Sequence, residues 1–301
     1  MNFIKSKESL GILFAILAFF SFSILDAIQK TAVIYHSIFQ LLLIKYLFTL
    51  FLSLFESQRK KNYVFYKTNN FPLQISRGLL SLIESGCFVL AFRYLSLVDA
   101  HSVGGLTPVI VVALSAIILK EKVSAKIWLA IFVGFIGLLI IMRPGLSIFD
   151  PKSLIPLVGA FFLGLYQIVN RKVSESDYTE TSLFYSSIVG ILLMSIISYF
   201  YWQPLIGISY ILFIGVGLFF SLGLYFQIIA LSKARASVVQ PFHYTIIFWS
   251  IIWTYLFYTD MPDFLTIVGA IVISLSGIYV LRQISKSENE EYIIYFLKSK
   301  N

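Results

Sequence analysis

The chain alternates long apolar runs with short polar connections. A bilayer core takes about 20 apolar residues per helix, and ten runs qualify: 10–30, 38–55, 73–97, 100–119, 125–142, 153–172, 181–201, 208–231, 236–257 and 264–282. The connections leave no room for a separate extramembrane domain except after residue 282. There, Ser287-Glu288-Asn289-Glu290-Glu291 precedes Tyr292-Ile-Ile-Tyr-Phe-Leu297, and two readings stay open, a short surface-lying helix or an unstructured tail.

Composition turns this pattern into a fold class. Apolar residues make up 58% of the 301 and charged residues 13%, against roughly 45–50% and 25% in soluble domains. A mean hydropathy of +0.87 cannot be hidden in one core at this length, so the apolar surface must face lipid. The first run continues without an A-x-A-like site and reads as a retained signal-anchor helix. Cys87 is the single cysteine, which excludes an intrachain disulfide and a cysteine metal or redox motif.

The net charge of +8 does not point to nucleic acid, because the basic residues sit between the apolar runs rather than on an aromatic-interleaved face. Connections on the side of the termini carry seventeen Lys and Arg; those on the other side carry four, Lys30, Arg93, Arg143 and Lys152. The positive-inside rule then puts both termini in the cytoplasm of a bacterial-type inner membrane.

An internal repeat divides the chain into 10–143 and 153–283, with a tail at 284–301. Leu95-Ser-Leu-Val-Asp-Ala-His-Ser102-Val103 matches Leu231-Ser-Lys-Ala-Arg-Ala-Ser237-Val238 with one gap. Each half closes with a glycine-spaced helix, Gly134 and Gly137 in one, Gly269 and Gly277 in the other. Leu25-Asp26-Ala-Ile-Gln29-Lys30 runs parallel to Tyr166-Gln167-Ile-Val-Asn170-Arg171. Five spans per half is an odd number, so the halves are expected to be inverted, the plan of secondary transporters with a central site.

The chain resembles the drug/metabolite transporter superfamily, in its ten-helix EamA-like branch. The resemblance rests on Arg77-Gly78-Leu-Leu, Ala91-Phe-Arg-Tyr94-Leu-Ser-Leu, Leu106-Thr107-Pro108-Val109, Leu119-Lys-Glu121-Lys, Gly134-Phe-Ile-Gly137 and Arg143-Pro144. Within the branch, Asp26-x-x-x-Lys30, Asn170-Arg171-Lys172 and Phe184-Tyr185-Ser186 look like bacterial S-adenosylmethionine carriers. Asp260-Met-Pro-Asp263 departs from the pattern, standing where a Glu-containing turn is usual. The resemblance implies transport of a small metabolite and does not fix which one.

Ionisable groups at membrane depth are costly and normally pair or face a wet cavity. Glu84 lies about 17 Å from the cytoplasmic end of the third run and Lys45 about 15 Å from that of the second, so they share a depth. Arg77, two turns from Glu84, reads either as a cavity group or as a snorkelling cation. Asp26 reads as a cavity group or as an i,i+4 partner of Lys30. His101 is expected at the outer mouth, where it can cap the fourth helix, and His243 lies about 10 Å into the ninth. Tyr94, Tyr166, Gln167, Tyr244 and Trp249 complete the candidate substrate-binding set. Pro108 and Pro241 free backbone carbonyls in equivalent helices and mark candidate hinges.

No H-E-x-x-H, G-x-S-x-G, Walker A loop or Cys-His cluster is present. The expectation is therefore not an enzyme, and one without cofactor or metal. It is a secondary carrier of an amino-acid-like or S-adenosylmethionine-like zwitterion working by alternating access. A proton, acting through Glu84, or a counter-substrate is the expected coupling partner, and the chain is expected as a monomer or homodimer. A drug or toxic-metabolite exporter is the alternative within the class, a membrane scaffold or sensor the one outside it.

Overall fold

A computed structural model describes residues 7–142 apart from 96 and 122, residues 151–258, and scattered residues between 264 and 279. The tenth run and the tail, with Arg143-Pro144 and Asp260 to Asp263, fall mainly or wholly outside the described residues. The described residues are mainly helical, with no strand among them. The helices are α1 (Lys7–Tyr35), α2 (Ile38–Arg59), α3 (Phe71–Tyr94), α4 (Leu97–Gly104), α5 (Thr107–Ile118) and α6 (Ala125–Met142). They continue with α7 (Leu154–Val173), α8 (Thr179–Phe200), α9 (Ser209–Lys233), α10 (Ala236–Val239) and α11 (Thr245–Tyr258). Among the described residues six helices, α1, α2, α3, α7, α8 and α9, are long and apolar enough to cross a membrane.

Two expectations about helix bounds are corrected. The first helix does not end at Lys30. It runs 29 residues to Tyr35, because the Lys30 ammonium donates to the Phe92 carbonyl at 3.3 Å and the Leu95 carbonyl at 2.8 Å. A cation that caps the end of α3 need not end its own helix. At about 43 Å, α1 exceeds the roughly 30 Å hydrocarbon core.

The fourth and ninth runs, expected as continuous helices, are each interrupted. Gly105 and Leu106 form a turn between α4 and α5, and Pro108 sits in the first turn of α5, where its missing N–H costs nothing. In the ninth run, Gln240–Tyr244 forms a 3-10 segment containing Pro241, between α10 and α11.

The helices pack mainly in the pairs α1 with α9, α2 with α8 and α3 with α7. Small residues set some of these distances. A Cβ on Gly190 of α8 would enter the ring of Tyr46 on α2, and one on Gly134 of α6 would lie 2.7 Å from the Tyr244 ring. Glycine lets backbones approach this closely, as membrane helix packing requires. The opposite faces carry exposed Phe51, Leu192, Ile196, Tyr199, Ile211 and Ile214, an apolar exterior suited to lipid.

Polar ties join the ends of the helices. Glu121, just after α5, accepts from the backbone N–H groups of Ala236 (3.0 Å) and Ser237 (3.1 Å) and from the Ser237 hydroxyl (2.7 Å). It satisfies donors at the start of α10 that have no partner within the helix. Arg171 lies 3.8 Å from Glu121 and donates to the Leu231 carbonyl at 2.7 Å.

Candidate functional site

A cavity opens where α1, α2, α3 and α4 meet α7, α9 and the Gln240–Tyr244 segment. Its polar lining is Asp26 and Gln29 from α1, Lys45 from α2, Glu84 and Ser85 from α3, His101 from α4, Gln227 from α9 and His243. Phenylalanines 19, 22, 88 and 220 form the apolar wall together with Leu25, Leu163, Leu224 and Ile246. The cavity measures about 70 Å³. That holds about five waters and is well below the roughly 300 Å³ at which small-molecule sites begin. An organic cargo therefore requires the walls to part.

The charges inside are arranged as two groups. Asp26 accepts from Gln29 Nε2 at 2.7 Å and has His101 Nε2 3.0 Å from its other oxygen. That approach is not aligned as a hydrogen bond, and it becomes an ion pair when the imidazole is protonated. The His101 ring also lies against Phe88 and Phe92. In the second group, the Lys45 ammonium donates to the Ser85 hydroxyl at 2.8 Å and sits 5.0 Å from the centre of the Phe220 ring. Glu84 and Asp26 act on Lys45 through their fields, with no direct ion pair from Lys45 to either carboxylate.

Of the residues singled out in the sequence, the cavity gathers Asp26, Lys45, Glu84 and His243, and His101 lines it with them. His243 meets the Phe19 ring edge-on at 5.0 Å. The other six lie elsewhere. Arg77 is fully buried in the seam of α3 with α7 and α8, where it donates to Gln74 Oε1 at 3.2 Å and to the Ser182 carbonyl and also bonds Tyr166. Neither the snorkelling nor the cavity reading of Arg77 describes that position. Tyr166 accepts from Asn170 at 3.3 Å. Gln167 accepts from Gln240 at 2.6 Å, tying α7 to the interrupted helix. Tyr244 packs on Gly134, Trp249 meets Phe20 edge-on at 4.9 Å, and Tyr94 is exposed at the end of α3.

Ser85, Gln227, Phe22, Phe88 and Phe220 were not singled out. Part of the signal was present. Phe19, Phe22, Asp26 and Gln29 fall at helical spacing on one stripe, as do Glu84 and Phe88, and Gln227 is an amide deep in an apolar run.

The EamA-like transporter family model matches residues 9–143 and 153–282. The S-adenosylmethionine uptake transporter of Rickettsia conorii is 26% identical over 226 residues, 75% of this chain and 77% of its own. The pseudopaline exporter of Pseudomonas aeruginosa is 26% identical over 90% of this chain and 96% of its own. The riboflavin transporter of Vibrio cholerae is 29% identical over 59% of this chain and 60% of its own. A crystal structure at 14% identity superposes with a TM-score of 0.77 over 92% of this chain and 99% of its own, a likeness of fold. With nearly its whole length matched, this multi-pass membrane protein belongs to the EamA-like transporter family.

Proposed function

We propose that the chain is a secondary-active inner-membrane carrier of a small zwitterionic metabolite, working by alternating access between two inverted five-helix halves, 10–143 and 153–283. One observation carries this reading: Lys45 and Glu84 line the same cavity without pairing directly. Each is available to an opposite charge on the cargo, the ammonium to a carboxylate and Glu84 to an ammonium or sulfonium. A cargo bearing both charges offers each of the two groups a partner, whereas a simple anion or cation leaves one of them unmatched.

The packing supports inverted halves. If α1 corresponds to α7, α3 to α9 and α5 to α11, then the pairs α1–α9 and α1–α11 exchange with α7–α3 and α7–α5, and all four contacts occur. The corresponding helix of each half is interrupted beside a proline, at Pro108 and Pro241. Discontinuous helices at a central site are a recurring transporter device, and these are the proposed bending points. The lysine and arginine distribution supports cytoplasmic termini.

The names of the relatives make S-adenosylmethionine and riboflavin the first cargoes to try, and the charge pair in the cavity adds amino acids. The protein is reconstituted in liposomes and uptake of each labelled compound is measured. The expected result is uptake of a zwitterion, lost in Glu84→Gln and Lys45→Met. A protein that moves no compound from a broad metabolite panel would sink the carrier reading.

A further inference from the structure

Lys45 is only 1% exposed, yet its ammonium has no direct ion pair among the described residues. Around it stand a hydroxyl from α3 (Ser85, 2.8 Å), an aromatic face from α9 (Phe220, 5.0 Å) and the fields of Glu84 and Asp26. A hydrogen-bond acceptor, a ring face and a nearby carboxylate are the elements of a site for an organic cation. The chain's own lysine fills it. The other cavity carboxylate, Asp26, already has Gln29 and His101 beside it, and His243, the remaining titratable group of the lining, faces Phe19. Glu84 therefore depends on Lys45 for a counter-charge.

We propose that Lys45 is a tethered surrogate for the cationic group of the cargo, giving Glu84 a counter-charge in the empty cavity so that the unloaded protein can change its facing. When a zwitterion enters, its cation takes the place at Ser85, Phe220 and Glu84, and the released ammonium turns to its carboxylate. Closing a membrane cavity around an unmatched carboxylate is strongly disfavoured, so a carrier without such a lysine could return only with a proton, an ion or a counter-substrate aboard. With Lys45 in place the return stroke needs none of these, and transport is a net flux rather than an obligatory exchange. The proposal rests on the carrier reading above; on the empty return stroke the fixed ammonium takes the place of the proton expected at Glu84, and any driving ion travels with the loaded stroke.

The test needs no cargo. In full-length protein carrying Cys87→Ser, a cysteine is placed in the cavity as Gln227→Cys. Its labelling by a membrane-impermeant thiol reagent is followed in right-side-out and inside-out vesicles. The protein with Lys45 should be labelled from both sides. Lys45→Met should lose labelling from one side by at least about tenfold, as should Glu84→Gln, in which the lysine is left unmatched. The neutral double variant Lys45→Met with Glu84→Gln should regain both. Thermal melting of each identifies a variant that fails to fold, and the Glu84→Gln arm stands alone if Lys45→Met is such a case. Labelling of Lys45→Met and Glu84→Gln from both sides at the parent rate overturns the proposal. So does a parent labelled from one side only. In that last case, exchange of labelled S-adenosylmethionine across the same vesicles would leave the carrier reading standing, whereas a protein that moves no metabolite would sink both.

Discussion

Among the described residues the Lys45 ammonium makes its hydrogen bond to the hydroxyl of Ser85, at 2.8 Å, although the side chain next along α3 is the carboxylate of Glu84. An ion pair closed between Lys45 and Glu84 would have to be broken by every cargo. A lysine parked on a hydroxyl and a ring face leaves the carboxylate open at a smaller cost, because a hydrogen bond from a charged donor contributes only about 1.5–3 kcal/mol. The arrangement predicts that Ser85→Ala lowers the melting temperature of the empty protein by several degrees. Saturating cargo should narrow that gap, since its carboxylate then holds the ammonium; an equal gap with and without cargo would argue against it.

Arg77 is the opposite case, a buried cation that holds helices together. Its guanidinium joins Gln74, Tyr166 and the Ser182 carbonyl across α3, α7 and α8. Arg77→Ala should cost about 2–5 kcal/mol, because it leaves a cavity in the seam and buried acceptors without a donor, and Arg77→Lys should recover little because an ammonium lacks the planar fork. The loss is expected in folded yield and melting temperature. A variant that folds normally but raises KM for transport would return Arg77 to the binding site.

These two residues mark how far the sequence could be read. A lone charge in an apolar run is conspicuous, and that signal found Asp26, Lys45 and Glu84. It found Arg77 equally well, because hydropathy reports depth and not direction, and Arg77 faces a seam between helices. Soluble helices advertise their inner face by an apolar stripe; these helices are apolar all round, so Phe220 and Gln227 could not be assigned to the cavity from α9 alone. The interruptions at 105–106 and 240–244 were marked by Pro108 and Pro241, but whether a proline bends a helix or ends it depends on what receives the freed backbone groups. The extension of α1 past Lys30 depended on a partner on α3, sixty-two residues away at Phe92.

Close packing of α2 on α8 gives a test of the fold itself. Any side chain at Gly190 meets the buried ring of Tyr46, whose hydroxyl is 3.2 Å from Ser81. Gly190→Leu should destabilise by about 1–3 kcal/mol or more, the range for overpacked cores. Tyr46→Ala introduced into Gly190→Leu should restore part of the loss, measured by thermal melting in detergent. An additive double variant would contradict the contact.

Glu121 ties the end of α5 to the start of α10 through three hydrogen bonds, two of them to backbone N–H groups. Glu121→Ala should cost about 1–2 kcal/mol, the scale of a lost helix cap. Ser237→Ala removes one of the same bonds, so the double variant should lose less than the sum of the single losses. Melting curves of the four proteins decide the matter, and strict additivity would mean that the two side chains act apart.

His36 lies in the turn between α1 and α2, where its Nε2 shares a 2.8 Å hydrogen bond with the Ser209 hydroxyl and its ring meets Phe213 edge-on. Burial pushes the imidazole below its ordinary value, because desolvation disfavours the charged form. The folded protein therefore holds fewer protons at this site than the unfolded chain, whose histidine titrates near 6.5. Stability from the site is complete above that pH and declines as the pH falls through it. Melting temperatures at pH 7.5 and 5.5 should accordingly drop further for the wild type than for His36→Gln, which keeps a hydrogen-bonding side chain but no titration. Subtracting the two proteins removes the pH dependence that they share. A difference that stays constant, or widens in acid, would show that His36 is not held neutral by its surroundings.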